Sequence, residues 1–218
     1  MPHKAKTVRR HPQRTYPYRF GKASRPPSKR REGERQVEAP KIEWEAIGRE
    51  PSEFKRKLLA VGYLTDRLAR QGVETYLVGG GAVEVYTSGQ FITGDIDLVV
   101  SDREKAVKLL KSLGFRQVSR TWINLDLNMA IDIVGSNLSG SKEKIRTVEL
   151  AGLTINLEGV EDLIVKRLYS YKFWRQKIDL DQAVVLLKNY EDIDTEYLRR
   201  KAAEQQVIDT LEQISRLN

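Results

Sequence analysis

Two short stretches, Tyr76-Leu-Val-Gly-Gly-Gly-Ala-Val83 and Thr93-Gly-Asp-Ile-Asp-Leu-Val-Val100, decide the fold predicted for this chain. The first contains an apolar, β-branched strand, residues 75–78, that ends at three glycines. Glycine permits a tight turn and a close approach of a ligand to the backbone. Residues 82–86 suit a short helix, whose first N–H groups have no partner within the helix and therefore predict a phosphate site.

The second stretch predicts a strand that carries two carboxylates. Asp95 and Asp97 are two residues apart, so on a strand they point to the same face, with their α-carbons about 6.7 Å apart. Two like charges on an otherwise apolar strand repel each other, and partial burial raises that cost. A divalent cation resolves the repulsion, since carboxylates at this spacing can converge on one Mg²⁺ or bridge two ions. The alternative is a solvent-facing strand end with two unrelated acids; the glycines upstream favour a nucleotide-and-metal site.

The motif of Gly79-Gly80 followed by Asp95-Ile-Asp97 resembles the signature of the DNA polymerase β-like nucleotidyltransferase superfamily. The surrounding residues look most like its small prokaryotic and archaeal members, and the resemblance covers about residues 75–187. One departure is Phe91, because many relatives carry a basic residue at that position. The resemblance implies an α+β fold, with a nucleotidyltransferase-like mixed β-sheet flanked by helices and a helical C-terminal part.

In that superfamily a third acid comes from a later strand, and this chain offers two candidates for it. Asp132 lies in the apolar run Ala-Ile-Asp-Ile-Val, where a single carboxylate is unusual unless it has a structural or functional role. Asp126 lies in a predicted turn. Asp132 is therefore favoured, and its structural alternative is a buried acid bonded to backbone amides. The resemblance implies that Asp95, Asp97 and Asp132 are catalytic and bind two metal ions, Mg²⁺ or alternatively Mn²⁺.

The resemblance also implies a binding site for a nucleoside triphosphate. A lysine at the position of Lys166 can face the triphosphate in the superfamily. The residues assigned to the nucleotide are Gly79, Gly80, Gly81, Thr93 and Lys166.

Composition excludes several other kinds of site. The chain of 218 residues has no cysteine, and its only histidines, His3 and His11, precede the predicted core. A Cys-ligated zinc, a thiol nucleophile and a Ser-His-Asp triad in the core are therefore excluded. No apolar run approaches the roughly 20 residues needed to span a membrane, so we expect a soluble, cytoplasmic protein.

The net charge of +8 is concentrated in residues 1–40. This segment holds 12 of the 38 lysines and arginines but 3 of the 30 acids, giving it +9 and the remainder −1. It also holds six of the seven prolines and lacks a hydrophobic period, which predicts a disordered tail. Its cations and interleaved aromatic residues predict contact with a nucleic acid, either DNA or an RNA such as rRNA or tRNA. The residues assigned to this contact are Arg9, Arg10, Arg14, Arg19, Lys29, Arg30 and Arg31. The alternative is a solubilising or processed leader.

The pattern of the remaining chain predicts two further regions, an α/β core over residues 41–157 and a helical region over 158–218. Periodicity predicts helices over 52–70, 103–113, 159–174, 180–190 and 196–217. It predicts strands over 115–118, 122–125 and 129–134, and a hairpin of 145–150 with 153–157. The apolar face of the last helix fits either a homodimer contact or packing within the chain; its residues are Leu198, Val207, Leu211 and Ile214.

Three functional hypotheses follow from the sequence. The first is a Mg²⁺-dependent nucleotidyltransferase that transfers NMP from an NTP to a hydroxyl acceptor on RNA or protein and releases pyrophosphate. The second is an RNA- or ribosome-binding factor, built on the same fold and anchored by its basic tail, with weak or lost catalysis. The third is a toxin-like enzyme that modifies tRNA or a protein hydroxyl.

Overall fold

The computed structural model describes residues 19–22, 42–190 and 192–216. Within the predicted tail, the described part is the backbone of residues 19–22. The predictions for Arg9, Arg10, Arg14, Lys29, Arg30 and Arg31, and for the contact made by the Arg19 side chain, lie outside the described residues.

The centre of the fold is a mixed sheet of eight strands in the order β1-β7-β8-β2-β3-β6-β5-β4. The pairs β2–β8 and β3–β6 are parallel and the other neighbours are antiparallel, which confirms the predicted mixed sheet. The strands are β1 (Arg19–Lys22), β2 (Thr75–Val78), β3 (Ile96–Val100), β4 (Arg116–Val118), β5 (Thr121–Asn124), β6 (Met129–Gly135), β7 (Arg146–Leu150) and β8 (Leu153–Leu157).

Eight α-helices and one 3₁₀ turn complete the described part of the chain. None of these helices combines the length and the apolar composition needed to cross a bilayer. The helices are α1 (Trp44–Gly48), α2 (Glu53–Ala69), α3 (Gly79–Tyr86), α4 (Arg103–Ser112), α5 (Val160–Trp174), α6 (Lys177–Asn189), α7 (Thr195–Glu204) and α8 (Ile208–Ser215), and the 3₁₀ turn is Lys142–Lys144.

Helix α2 illustrates how local signals set the boundaries of an element. Its N-cap, Ser52, accepts a hydrogen bond from the backbone N–H of Lys55 at 3.3 Å, as expected for a hydroxyl at that position. Gly72 follows the helix with a φ of +74°, a conformation that favours glycine. The apolar stripe between these signals is buried against the sheet and contains Leu58, Val61, Leu64 and Leu68.

The two faces of the sheet differ in what covers them. Because side chains alternate along a strand, Leu77 and Leu98 lie in the main core with the helices, whereas Tyr76 and Val99 lie on the other face. This second face carries a small apolar cluster of Tyr76, Val78, Val99 and Ile145, with Leu138 packed on it. Asp97, between the core residues Ile96 and Leu98, therefore lies on the second face.

Several boundaries differ from the predictions; α6, for example, begins at Lys177 rather than at residue 180. The helix expected to begin after the glycines begins at Gly79, so the three glycines form its first turn. The helix expected over 196–217 is broken into α7 and α8, because Gln206 adopts a left-handed conformation with a φ of +58°. At the start of α7, Asp194 caps the helix by accepting from the Tyr197 N–H at 2.9 Å, and it pairs with Lys144 at 2.5 Å.

The C-terminal helices share one core with the sheet. Leu163 and Leu168 of α5 and Leu186 of α6 belong to the same buried cluster as Leu77 and Leu98. The four apolar residues considered for a homodimer contact are also buried in this core, so that face packs within the chain. The division into domains at residue 157 stays a prediction.

Candidate functional site

The pairing of three strands brings the three aspartates together on the second face of the sheet. Val78, the last residue of β2, pairs with Asp97, and Asp97 pairs in register with Asp132 on the parallel strand β6. Asp95 precedes Asp97 by two residues on the same side. One carboxylate oxygen from each of the three lies within 4.8 Å of the others, which is the convergence that the sequence predicted.

Asp132 is the most buried of the three acids, and its environment is only partly satisfied. Its Oδ2 lies 3.3 Å from Nε of Arg120, an exposed side chain, so this ion pair is weak. Its buried Oδ1 accepts no hydrogen bond from any described residue. The competing candidate, Asp126, lies in the exposed turn between β5 and β6 and is not part of the cluster.

The electrostatics of the cluster are visible at Asp97. Burial raises the pKa of the Asp97 carboxyl above its usual 3.8, and the neighbouring charges of Asp95 and Asp132 raise it further. The charge of Arg167 and a hydrogen bond from the Gly80 N–H act in the opposite direction. The positive charge that the protein supplies therefore does not balance the repulsion between the three carboxylates.

Gly79 joins the site to the sheet through a conformation that requires glycine. Its φ is +61°, and a Cβ at this position would lie 2.7 Å from Oδ2 of Asp97. Its N–H points to Oε2 of Glu158 at 3.5 Å, and the N–H of Gly80 donates a hydrogen bond to the carboxylate of Asp97. The first amides of α3 thus face carboxylates of the site. Gly80 and Gly81 also leave no room for a Cβ, which would meet Thr93 and Leu77 at 2.8 and 2.9 Å.

Thr93 is held by a buried network that the sequence analysis did not predict. Its N–H and its hydroxyl both donate to Oε2 of Glu84, at 3.2 and 2.9 Å. Its carbonyl accepts from Nζ of Lys57 at 2.5 Å, and Lys57 lies 3.5 Å from Glu84. Because Thr93 precedes Asp95 by two residues, this network fixes the loop that presents Asp95.

Lys166 lies beside the glycine turn, paired with the fully buried carboxylate of Glu158. Glu158 thus contacts both Lys166 and the N–H of Gly79. The next residue, Arg167, pairs with Asp179 at 3.0 Å and is near enough to Asp97 to lower its pKa. The structure therefore places Lys166 near the glycines through Glu158.

Sequence reasoning missed four residues that shape this site: Lys57, Glu84, Glu158 and Arg167. A signal was present for two of them. Glu84 interrupts an apolar helix, Ala-Val-Glu-Val, and Glu158 directly follows an apolar strand. A lone acid in such a position needs a partner, but the sequence does not name the partner.

The donor set fits a hard divalent cation. Mg²⁺ and Mn²⁺ prefer carboxylate oxygens, and the cluster offers three of them with an unpartnered Oδ1 on Asp132. Asp95, Asp97 and Asp132 are the residues that would hold the ion or ions. Bound there, the cation would balance the repulsion that raises the pKa of Asp97.

Comparisons with known proteins bear on the fold. No family model matches the sequence, and no curated protein sequence matches it. Among solved structures, the chain is similar to the crystal structure of an antigenic nucleotidyltransferase-like protein from Paracoccidioides brasiliensis, with a TM-score of 0.53. The match has 17% sequence identity and covers 75% of this chain and 92% of that chain. At this identity the likeness shows the fold, which is nucleotidyltransferase-like.

Proposed function

We propose that this protein is a metal-dependent nucleotidyltransferase of the DNA polymerase β-like superfamily. The observation that carries the proposal is the convergence of three carboxylates within 4.8 Å, beside a helix that starts at a glycine turn. A nucleotidyltransferase-like fold supports the same reaction class. The acceptor in this proposal is a hydroxyl on RNA or protein, and the donor is an NTP.

The reaction forms a bond between the acceptor oxygen and the α-phosphorus and breaks the bond from that phosphorus to the bridging oxygen. NMP is transferred and pyrophosphate leaves. Mg²⁺ held by the three aspartates would supply charge neutralisation and a lowered pKa of the acceptor hydroxyl. Little covalent chemistry is required of the protein, because positioned charge is sufficient for phosphoryl transfer.

Each residue of the site has a role in this proposal. Asp132 accepts the proton of the acceptor hydroxyl, a role supported by its unpartnered Oδ1. Lys166 and the N–H of Gly79, which both contact Glu158, exchange that carboxylate for the β- and γ-phosphates of the nucleotide. Glu84 and Lys57 hold the loop of Asp95.

The test is a labelling experiment with matched variants. The protein is incubated with each α-labelled NTP, total cellular RNA and protein, and Mg²⁺ or Mn²⁺. The wild type and Asp126→Asn should transfer label to a macromolecule, whereas Asp95→Asn/Asp97→Asn should not. Asp126→Asn is the control because its carboxylate is exposed and outside the cluster. Transfer by the double variant, or no transfer by the wild type to any acceptor, contradicts the proposal.

A second candidate function is an RNA- or ribosome-binding factor that uses the basic tail. The observation that favours it is the charge of +9 in residues 1–40, against −1 in the rest of the chain. Because residues 19–22 pair with β7, a deletion of residues 1–18 tests the tail and leaves β1 in place. An RNA-anchoring tail predicts a loss of RNA affinity and a shallower dependence on salt. Because the deletion removes five of the twelve cations of residues 1–40, unchanged affinity for RNA together with an unchanged dependence on salt contradicts this candidate.

A further inference from the structure

A cluster of aromatic side chains is exposed at the end of α5. The rings of Tyr169 and Phe173 lie 4.5 Å apart, and those of Tyr169 and Trp174 lie 5.8 Å apart in an edge-on arrangement. Trp174 is 66% exposed and Phe173 is 47% exposed. Ile178, at the start of α6, is exposed as well. Exposed apolar side chains that form a group, unlike single ones scattered over a surface, mark binding sites.

A cavity of about 410 Å³ adjoins this cluster, within the range of roughly 300–1,000 Å³ common for ligand pockets. Its walls come from α5, α7 and the loop after β6. Ser170 and Gln205 line it with side chains that form no hydrogen bond to a described residue. One acid, Asp162, is also in the wall, and both of its oxygens are satisfied by Tyr197 and Ser141.

The free positive charge beside the cavity comes from two exposed residues, since the three cations of its wall each pair with an acid. Lys166, Arg167 and Lys201 line it, and the exposed residues Arg175 and Lys177 follow directly after the aromatic cluster. Neither Arg175 nor Lys177 forms an ion pair with a residue that the structure describes. Aromatic faces among unpaired cations are the combination that single-stranded nucleic acids require, with stacking for bases and charge for phosphates.

The cavity is connected to the carboxylate cluster through shared residues. Lys166 lines the cavity and pairs with Glu158, which accepts from the N–H of Gly79. Gly79 in turn lies against the carboxylate of Asp97, since a Cβ on Gly79 would be 2.7 Å from its Oδ2. A ligand in the cavity would therefore contact Lys166, which Glu158 joins to the glycine turn of the cluster.

We propose that this surface binds single-stranded RNA and leads it to the carboxylate cluster. The centroid of the Tyr169 ring lies 4.5 Å from that of Phe173 and 5.8 Å from that of Trp174, in each case more than the ~3.4 Å step of a nucleic-acid strand. The rings thus fit more than one base, which distinguishes a strand from a free nucleotide. The free groups of Ser170 and Gln205 are suited to the ribose 2′-hydroxyl, which separates RNA from DNA. The use of this strand as the acceptor rests on the proposed function; its binding does not.

The experiment measures binding of a short, labelled oligouridylate by fluorescence anisotropy, together with quenching of tryptophan fluorescence. The full chain is used in EDTA, so neither metal nor catalysis contributes, and all variants keep residues 1–40. Trp174→Ala should weaken binding by between about 5- and 150-fold, the effect of losing one stacked base, and should abolish most of the quenching. Trp174→Phe should retain binding, because a phenyl ring still stacks.

The charge is tested by a matched pair of lysine variants. Lys177→Glu should weaken binding, whereas Lys108→Glu, at an exposed position of α4, should not. Unfolding temperatures of all variants should equal that of the wild type, since the altered side chains are exposed. The corresponding oligodeoxyuridylate, a duplex and UTP serve as competitors, and the oligouridylate should be preferred.

Several outcomes would overturn the inference. Trp174→Ala with unchanged binding assigns RNA binding elsewhere, and an equal loss for Lys108→Glu makes the charge effect unspecific. Competition by UTP as strong as that by the RNA strand makes the cavity a nucleotide site instead. RNA binding that needs Trp174 without any NMP transfer leaves this inference intact and removes only the proposed function. NMP transfer that does not depend on Trp174 removes this inference and leaves the proposed function intact.

Discussion

Replacing Asp97 by asparagine should stabilise the metal-free protein and abolish its response to Mg²⁺. Asp97 and Asp132 are in-register neighbours with oxygens no more than 4.8 Å apart. At that distance two unit charges repel by about 1 kcal/mol in water and about 3.5 kcal/mol at an effective dielectric constant of 20. Asp97 is only partly buried and Arg120 offsets some repulsion, so we expect Asp97→Asn to raise the free energy of unfolding by about 1–2 kcal/mol.

Thermal unfolding in EDTA and in excess Mg²⁺ measures both effects. A gain of about 1–2 kcal/mol corresponds to a rise in Tm of roughly 2–8 °C for a chain of this size. In Mg²⁺ at 100 times its Kd, the wild type should gain about 2.7 kcal/mol, and Asp97→Asn should gain almost nothing. Asp126→Asn is the matched control and should behave as the wild type in both conditions.

Two results would refute this reasoning. If Asp97→Asn is no more stable than the wild type in EDTA, the carboxylates do not repel each other in the folded protein. If Asp97→Asn still gains as much stability from Mg²⁺ as the wild type does, the cluster is not where the cation binds.

Three further predictions concern the glycine turn, the pair of Lys166 with Glu158, and the cap of α7. Gly89→Ala should cost about 1–2 kcal/mol for its left-handed backbone, since nothing lies near its Cβ. Gly79→Ala should cost more and also lose the Mg²⁺ response, because its Cβ meets a carboxylate of the cluster; equal costs in thermal unfolding would contradict this. Lys166→Met leaves the buried charge of Glu158 unpaired and should cost about 2–3 kcal/mol, below the about 3–5 kcal/mol of a fully buried pair because Lys166 is 43% exposed. The double variant Lys166→Met/Glu158→Gln should regain more than half of that lost free energy of unfolding, measured in urea. If the effects of the two substitutions simply add, the two side chains do not interact. A hydrogen bond from a lysine side chain lowers the pKa of Asp194 below 3.8, so its contribution to stability is present above that pH and lost as the pH falls through the lower folded-state value. As the pH is lowered below 3.8, the Tm of Asp194→Asn should therefore decrease less than that of the wild type. An equal decrease in Tm for both proteins would contradict this prediction.

The elements that sequence predicted best are those with strong local signals. Strands β2 and β8 have the predicted bounds, 75–78 and 153–157, because each is a short apolar or alternating run with glycine beside it. The N-terminus of α2 also follows from a local signal, the hydroxyl of Ser52. Such signals act over a few residues and are visible without knowledge of the fold.

The carboxylate cluster was predictable for a different reason. Asp95 and Asp97 share a face by the period of a strand, and Asp132 stood out as a lone acid in an apolar strand. That β6 lies parallel beside β3 does not follow from local pattern; the family resemblance implied only that the third acid comes from a later strand.

The parts that could not be predicted depend on contacts between distant residues. Glu158 reaches Gly79 across 79 positions of sequence, and no local pattern indicates that pairing. The break at Gln206 lacks the glycine or proline that usually marks one. Strand β1 was not predicted, since its four residues lie in a segment whose composition is that of a tail.

The position of β1 determines where the basic segment is attached. In the strand order, β1 lies four places from β3, which is about 19 Å at the usual spacing of neighbouring strands. Residues 1–18, attached at that edge, extend at most about 60 Å, so a molecule held by them stays within a bounded volume around the aspartates. Confinement of that kind raises the effective concentration of the held molecule at the aspartates, without any new contact between them. A weakly bound substrate would then meet this site many times before it diffuses away.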